Sequence, residues 1–352
     1  MRIIDVMIVG QGLAGSLLAW ELLDRQFNVM IVDTGRENAS KVAAGLINPV
    51  TGQRLVKIGN VDQLISAAMA RYQLLASNFN QCFFHSMPML RILRSEREQK
   101  IANQRLSQIE YRNYLSPNVH TNWAVQQDFG WLQQRQTGYL NTRLLLQVLR
   151  DEFIKRNIYR QTQLDYADII LYPSLQWHDL QPRHIVFCEG HLASGNPWFG
   201  SLPFQLAKGE ILTCRTTNFC PGQILNFGYW LIPLNNHQFR LGATFEPGCF
   251  DTQITEKAQS MLVTALNSFC PGLQSLEVTE QLAGIRPTTL DKQPFIGRHP
   301  KFANLHIFNG FGAKGSLLIP EYARQFASTL KQESVLSANV DINRFYATHF
   351  SG

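Results

Sequence analysis

A chain of 352 residues, 45% of them hydrophobic, is long enough to bury a large core and to divide into about two domains. Charged residues make up only 16%, with no like-charge block and no repeat period, which excludes a disordered chain and a solenoid. A net charge of +6 and a pI near 9.0 suit a phosphate-rich ligand or RNA without singling out either.

Residues 3–9 form an apolar run too short to span a membrane, and it opens into glycines rather than a cleavage site. It reads as a strand of a cytoplasmic protein with no membrane span. A helix over 16–24 and a strand over 29–32 follow, a βαβ beginning. Residues 61–77 carry helical apolar spacing, whereas 80–137 mix short runs with Gln- and Arg-rich stretches. Within the latter, Arg91, Arg94, Arg97 and Lys100 recur every three residues and are expected on one helical face, either solvated or facing an acidic partner.

Asn141 is placed to cap a helix over 142–155, its short side chain accepting from free amides. After a short run at 169–172, residues 184–190 read as a buried strand ending at Gly190, where the first unit resumes. Residues 206–250 alternate or run briefly apolar between turns, as strands of an antiparallel sheet do. A helix over 255–268, a strand over 305–308 and a helix over 317–330 complete the chain. The two domains therefore interleave.

Gly10-Gln11-Gly12-Leu13-Ala14-Gly15 lies between a strand and a helix, the context of a dinucleotide-binding turn. The first glycine permits the turn, the second lets amides approach a pyrophosphate and the third lets helix pack on strand. The helix start offers aligned donors to the phosphates. Asp33, followed by Thr34, ends the next strand, placed to accept from an adenosine ribose. The turn itself does not choose between NAD and FAD. A second turn, Gly310-Phe311-Gly312-Ala313-Lys314-Gly315, again joins strand to helix near Ser316. Its free amides are placed to stabilise negative charge on a reduced flavin, with a plain tight turn as the alternative.

Six cysteines, Cys82, Cys188, Cys214, Cys220, Cys249 and Cys270, show neither CxxC nor metal-ligand spacing. They read as free thiols, no metal is expected, and redox chemistry requires a cofactor. His85, His191, His299 and His306 have no triad or metal spacing either.

With these residues, the chain resembles the D-amino-acid oxidase superfamily of flavoproteins, most nearly its glycine oxidase group. The most specific stretch runs from Gly284-Ile285-Arg286-Pro287-Thr288-Thr289 through Asp291, Pro294 and Ile296-Gly297-Arg298 to Gly310. Ala43-Ala44-Gly45, Lys208-Gly209-Glu210 and Leu241-Gly242-Ala243-Thr244 also match. The resemblance implies an α/β fold: a Rossmann-type FAD-binding domain (1–78, 138–205, 280–352) interleaved with a smaller α+β substrate domain on an antiparallel sheet (79–137, 206–279). It implies extended, non-covalent FAD, since the final turn lacks a cysteine. Ala39, Ser40, Ala44, Gly45 and Leu46 then lie near pyrophosphate and flavin, and residues 311–317 along the pyrimidine edge.

Arg286 matches the arginine that binds the substrate carboxylate, a planar fork able to donate two parallel charge-assisted bonds. The alternative is a buried arginine paired with a local acid such as Asp291. Trp230 stands where glycine oxidases carry an active-site tyrosine and Ala313 where they carry a second arginine; residues 46–54 also depart from their pattern. Tyr229 and Trp230 either wall the pocket or pack in the core. Arg54, Lys57 and Lys314 are lesser candidates for carboxylate or flavin contacts. The implied activity is oxidation of a C–N bond in a small amine or amino acid by hydride transfer to flavin N5, giving an imine that hydrolyses. Oxygen or another electron acceptor takes the electrons.

Three alternatives stay open: removal of a carboxymethyl group from modified tRNA wobble uridine, an amino-acid dehydrogenase using a non-oxygen acceptor, and a non-catalytic flavoprotein. The Lys314 turn resembles that of the tRNA-modifying flavin domains, while the Arg286-Pro287-Thr288 run argues against nucleic acid as the partner. Assembly into a homo-oligomer is left open.

Overall fold

The computed structural model describes residues 1–117, 121, 124–126, 128–218, 220, 222–273 and 275–350. In the first strand, Arg2–Val9, Val6 and Ile8 enter one apolar cluster and Met7 and Val9 another. A strand buried on both faces needs successive apolar residues, which suits parallel pairing beneath two layers of cover. Its parallel neighbours are Val29–Asp33 and Leu180–Phe187, extended outward by Tyr159–Gln161 and Leu305–Asn309. Three short antiparallel strands bring this sheet to eight. Helices Leu13–Asp24, Val61–Phe79 and Gly315–Leu330 cover one face, and Trp177, Phe199 and Phe295 help to close the other.

Register aligns Val9 with Val32 and Phe187, and Phe187 with Ile307. Gly10, Asp33, Cys188 and Asn309 therefore emerge along one edge, at the carboxyl ends of the parallel strands, where such sheets bind ligands.

A second sheet of nine strands is antiparallel except where Ile224–Asn226 runs parallel to Met89–Ile92. Its longest strands, Phe204–Arg215 and Glu277–Thr289, pair from Phe204 opposite Thr289 to Arg215 opposite Glu277. Helix Glu256–Phe269 packs on the sheet through Leu262 and Leu266. Each long strand crosses one expected domain limit, at 205/206 and at 279/280. Residues 118–120, 122–123 and 127 of the expected unit 79–137, and 219, 221 and 274 of the expected unit 206–279, lie outside the described residues.

Local chemistry sets the helix ends. Helix Thr142–Lys155 starts where Asn141 Oδ1 accepts from the Leu144 amide at 3.2 Å, and Thr255 caps Glu256–Phe269 in the same way. The first helix begins at Leu13 rather than at 16, because the glycine turn leads straight into helical backbone. The basic series does not share a helical face. Arg91 belongs to strand Met89–Ile92, Arg94 to the following turn, and Arg97 and Lys100 to helix Glu96–Ser107. The apolar run around Arg91 pairs as a strand, and Ser95 Oγ, accepting from the Glu98 amide, starts a new element. The six cysteines are free thiols. Among the described residues no helix is long and apolar enough to cross a membrane, and no cluster of His, Cys, Asp or Glu is arranged to hold a metal.

Candidate active site

A cavity of about 1140 Å³ runs from the first glycine turn to the inner face of the antiparallel sheet. Every cofactor candidate named from the sequence borders it except Gly15. Gly15 is buried, and a Cβ there would overlap the Gly10 carbonyl oxygen, so it serves close packing of helix on turn. Gly10 has φ +101°, and a Cβ on it would lie 2.5 Å from the Cys188 carbonyl oxygen. Gln11 fastens the turn from behind: its Nε2 donates to Ser16 Oγ and the Leu146 carbonyl at 3.0 Å, and its Oε1 accepts from Arg150.

Two helix starts face this cavity. Gly12 heads Leu13–Asp24 and Lys314 heads Gly315–Leu330, neither with a side-chain cap at that position. Their amides and dipoles favour negative charge at two points. At the first, Ser40 Oγ accepts from the Leu13 amide at 3.0 Å and is itself steered by Asn38, whose Oδ1 accepts from the Ser40 amide. At the second, burial pulls the Lys314 amine below its usual range. Asp33 accepts from the amides of Gln11 (2.8 Å) and Gly35 (2.7 Å), which aims the carboxylate along the cavity edge. A glycine cradle too tight for a Cβ, an acid at the adjoining strand end and a second uncapped helix start fit a dinucleotide with a flavin at its far end. Arg286, Lys314 and Trp230 border the same cavity.

Arg286 lies at the sheet side of the cavity. Its Nη1 donates to the carbonyls of Thr244 (3.1 Å) and Lys208 (3.4 Å), and no carboxylate pairs with it among the described residues. Burial lowers its guanidinium pKa. The pairing with Asp291 is not made, because Arg344 takes that carboxylate at 2.9 Å. Trp230 borders the cavity while Tyr229 does not: Trp230 opens strand Trp230–Asn235, whereas Tyr229 lies in the bend before it and packs against Phe227 and the helix-covered core. Arg54 is exposed at the turn between Val50–Thr51 and Val56–Lys57, where Thr51, Gly52 and Gln53 border the cavity but Arg54 does not; Lys57 lies near Tyr114, its Nζ 5.6 Å from the ring centre.

Of the four histidines, only His191 borders the cavity. His85 stacks on Tyr139, His299 packs among Phe199, Phe302 and Phe350, and His306 meets His184 at 3.1 Å. Among the cavity residues missed from the sequence are Asn48, Glu189, Arg91 and Arg94. Burial raises the Glu189 carboxyl, which accepts from Tyr166 Oη and Asn196 Nδ2. Arg91 had a signal: a lone charge between Leu90 and Ile92 in an apolar strand.

The sequence model of the DAO family, described as FAD dependent oxidoreductase, matches residues 5–329. The tRNA 5-methylaminomethyl-2-thiouridine biosynthesis bifunctional protein MnmC of Idiomarina loihiensis is 23% identical over 99% of this chain, which spans 59% of that protein. The glycine oxidase of Geobacillus kaustophilus is 23% identical over 90% of both chains. A crystal structure of glycine oxidase from Geobacillus kaustophilus superposes with a TM-score of 0.81 at 18% identity, covering 98% of each chain.

Proposed function

Because this chain belongs to the DAO family of FAD-dependent oxidoreductases, with its likeness to the glycine oxidase group, we propose that it oxidises the C–N bond of a small amine or amino acid bearing a carboxylate. The observation that carries this reading is Arg286, a half-buried guanidinium at the cavity with no protein carboxylate beside it among the described residues. An unmatched, partly desolvated charge of this kind favours an anionic ligand. FAD, held non-covalently between the two glycine turns, supplies the two-electron acceptor when bound.

The chain's own residues position the substrate. Arg286 clamps the carboxylate and Trp230 walls the neighbouring space. The C–H bond beside the amine nitrogen breaks with its electron pair leaving carbon, the nitrogen lone pair forms the imine, and water then releases the carbonyl product and the amine. An amine bound unprotonated needs no separate base. In this reading the parallel-sheet unit (1–78, 138–205, 280–352) holds the cofactor, and the antiparallel unit (79–137, 206–279), together with residues 280–289 of its long strand, shapes the substrate end.

Anaerobic mixing of the purified yellow protein with glycine, sarcosine, D-amino acids and cyclic imino acids tests this. Bleaching by at least one carboxylate-bearing amine is expected; no bleaching by any amine overturns it. The MnmC relative spans almost the whole chain, which favours a second reading, removal of a carboxymethyl group from modified tRNA. Bleaching by that tRNA alone would select it.

A further inference from the structure

At the other side of the sheet roof stands a second cationic cluster that the amine chemistry leaves unused. Arg91 is 6% exposed and borders the cavity, as does Arg94. Both guanidinium groups share one carboxylate, Glu98, at 3.4 and 3.0 Å. Glu98 is also tied to the start of its own helix, its amide donating to Ser95 Oγ and its Oε2 accepting from the Arg94 amide. The cluster therefore keeps a net positive charge. The Nε–H of each arginine is buried and has no acceptor among the described residues, although Arg91 Nη1 donates to Asn226 Oδ1 at 2.9 Å.

Sheet register places this cluster relative to Arg286. Arg91, Asn226, Trp230, Gly242, Ile211 and Leu282 form one cross-strand row, and row partners share a face. Leu282 and Arg286 are four residues apart on one strand, so Arg286 is on that face too. Arg91 and Arg286 are thus five strand spacings and four residues of strand rise apart on one roof, about 27 Å measured along the sheet. Backbone at Gly228 keeps room for the cluster: its φ is +103°, and a Cβ there would overlap Arg94.

We infer that Arg91 and Arg94 form a distal anion subsite, so that the substrate carries a second acidic group, a carboxylate or a phosphate, remote from the one at Arg286. Holding one buried and one half-buried guanidinium against a single carboxylate is costly, and a ligand anion offsets that cost by accepting from the buried Nε–H donors. The inference rests on the amine-oxidation reading for what Arg286 holds. It makes substrate choice a matter of two charges at fixed separation.

The test uses the FAD-loaded protein and N-alkylglycines with arms of increasing length, each ending in methyl, carboxylate or phosphonate. Binding is read from the absorbance shift of bound FAD and reaction from anaerobic bleaching. For at least one arm length, an acidic end is expected to tighten binding about tenfold or more over methyl. That ratio should collapse toward one in Arg91→Gln and Arg94→Gln, with Arg97→Gln, exposed on the helix, as control. Arg94, at the half-buried edge, keeps the test decisive if the Arg91 variant does not fold. Preference for carboxylate or for phosphonate identifies the source of the second anion. No preference at any length, or a preference kept in a folded Arg94→Gln protein, overturns the subsite. If no compound bleaches the flavin while acid-ended ones still bind more tightly, the oxidation reading fails and the subsite stands.

Discussion

The guanidinium of Arg286 lies over Gly209, in the space that any Cβ at that position would fill. The two residues face each other diagonally on paired strands, Ala207 opposite Arg286 and Gly209 opposite Gly284. Glycine here clears a seat for the Arg286 guanidinium, the carboxylate clamp of the proposed reading. Gly209→Ala should push Arg286 aside and weaken binding of carboxylate-bearing amines about tenfold, with FAD content near wild type. Unchanged amine affinity would mean that the overlap is relieved without moving the clamp.

Arg286 itself gives a graded expectation. Arg286→Lys keeps the charge but loses the planar fork, and Arg286→Ala loses both. Anaerobic bleaching should need about 10-fold more amine in the former and about 100-fold or more in the latter. A neutral amine should discriminate little among the three proteins. Equal losses for neutral and carboxylate-bearing amines would assign Arg286 to the fold instead.

Glycine positions in the nucleotide turn separate packing from conformation. Gly15→Ala drives a methyl into the Gly10 carbonyl, a backbone contact that cannot swing away, at a cost of about 1–3 kcal/mol. The purified variant should be pale and melt lower. Gly59→Ala meets nothing within 4 Å and should keep its colour and its melting temperature. A fully yellow Gly15→Ala protein would contradict this packing role.

Removing FAD should lower the melting temperature and make it depend on added cofactor. Ligand at 100 times its dissociation constant contributes about 2.7 kcal/mol to the folded state. Differential scanning fluorimetry of apoprotein titrated with FAD measures it, and AMP in place of FAD should restore only part.

His306, buried between neighbouring strands against His184 and near Arg298, is pushed down to about 3 from 6.5, chiefly by burial. Between those values the unfolded chain binds a proton that the folded chain refuses. Its contribution is therefore fully present above about 6.5 and is lost as pH falls, at about 1.4 kcal/mol per unit. His306→Phe, packed against Phe326, should flatten the fall of melting temperature from pH 6.5 to 5. An unchanged slope would remove His306 from the acid sensitivity.

What could be read from the sequence was local. The Asn141 cap, the apolar spacing of 142–155 and the turn at Gly10 each act within a few residues, and each is in place. Trp230 and Tyr229 show the limit: the sequence does not say which of the two opens the strand, and the pairing of Trp230 with Gly242 does. Arg91 was misread because a spacing of three mimics a helix, while the pairing that makes it a strand comes from residues 131–134 and 224–226. Arg54 sits in a stretch that departs from the family pattern, and no distant partner turns it inward.

The long strands Phe204–Arg215 and Glu277–Thr289, paired from end to end with one register shift at Thr213/Cys214, act mechanically as a girder that crosses both expected domain limits. A girder has no hinge. Catalytic cycling in this molecule must therefore proceed without the jaw-like swing by which many two-lobed enzymes admit reactants. Traffic is left to rim segments such as the turn around residues 52–55. The solution scattering envelope should then be the same with the cavity filled or empty.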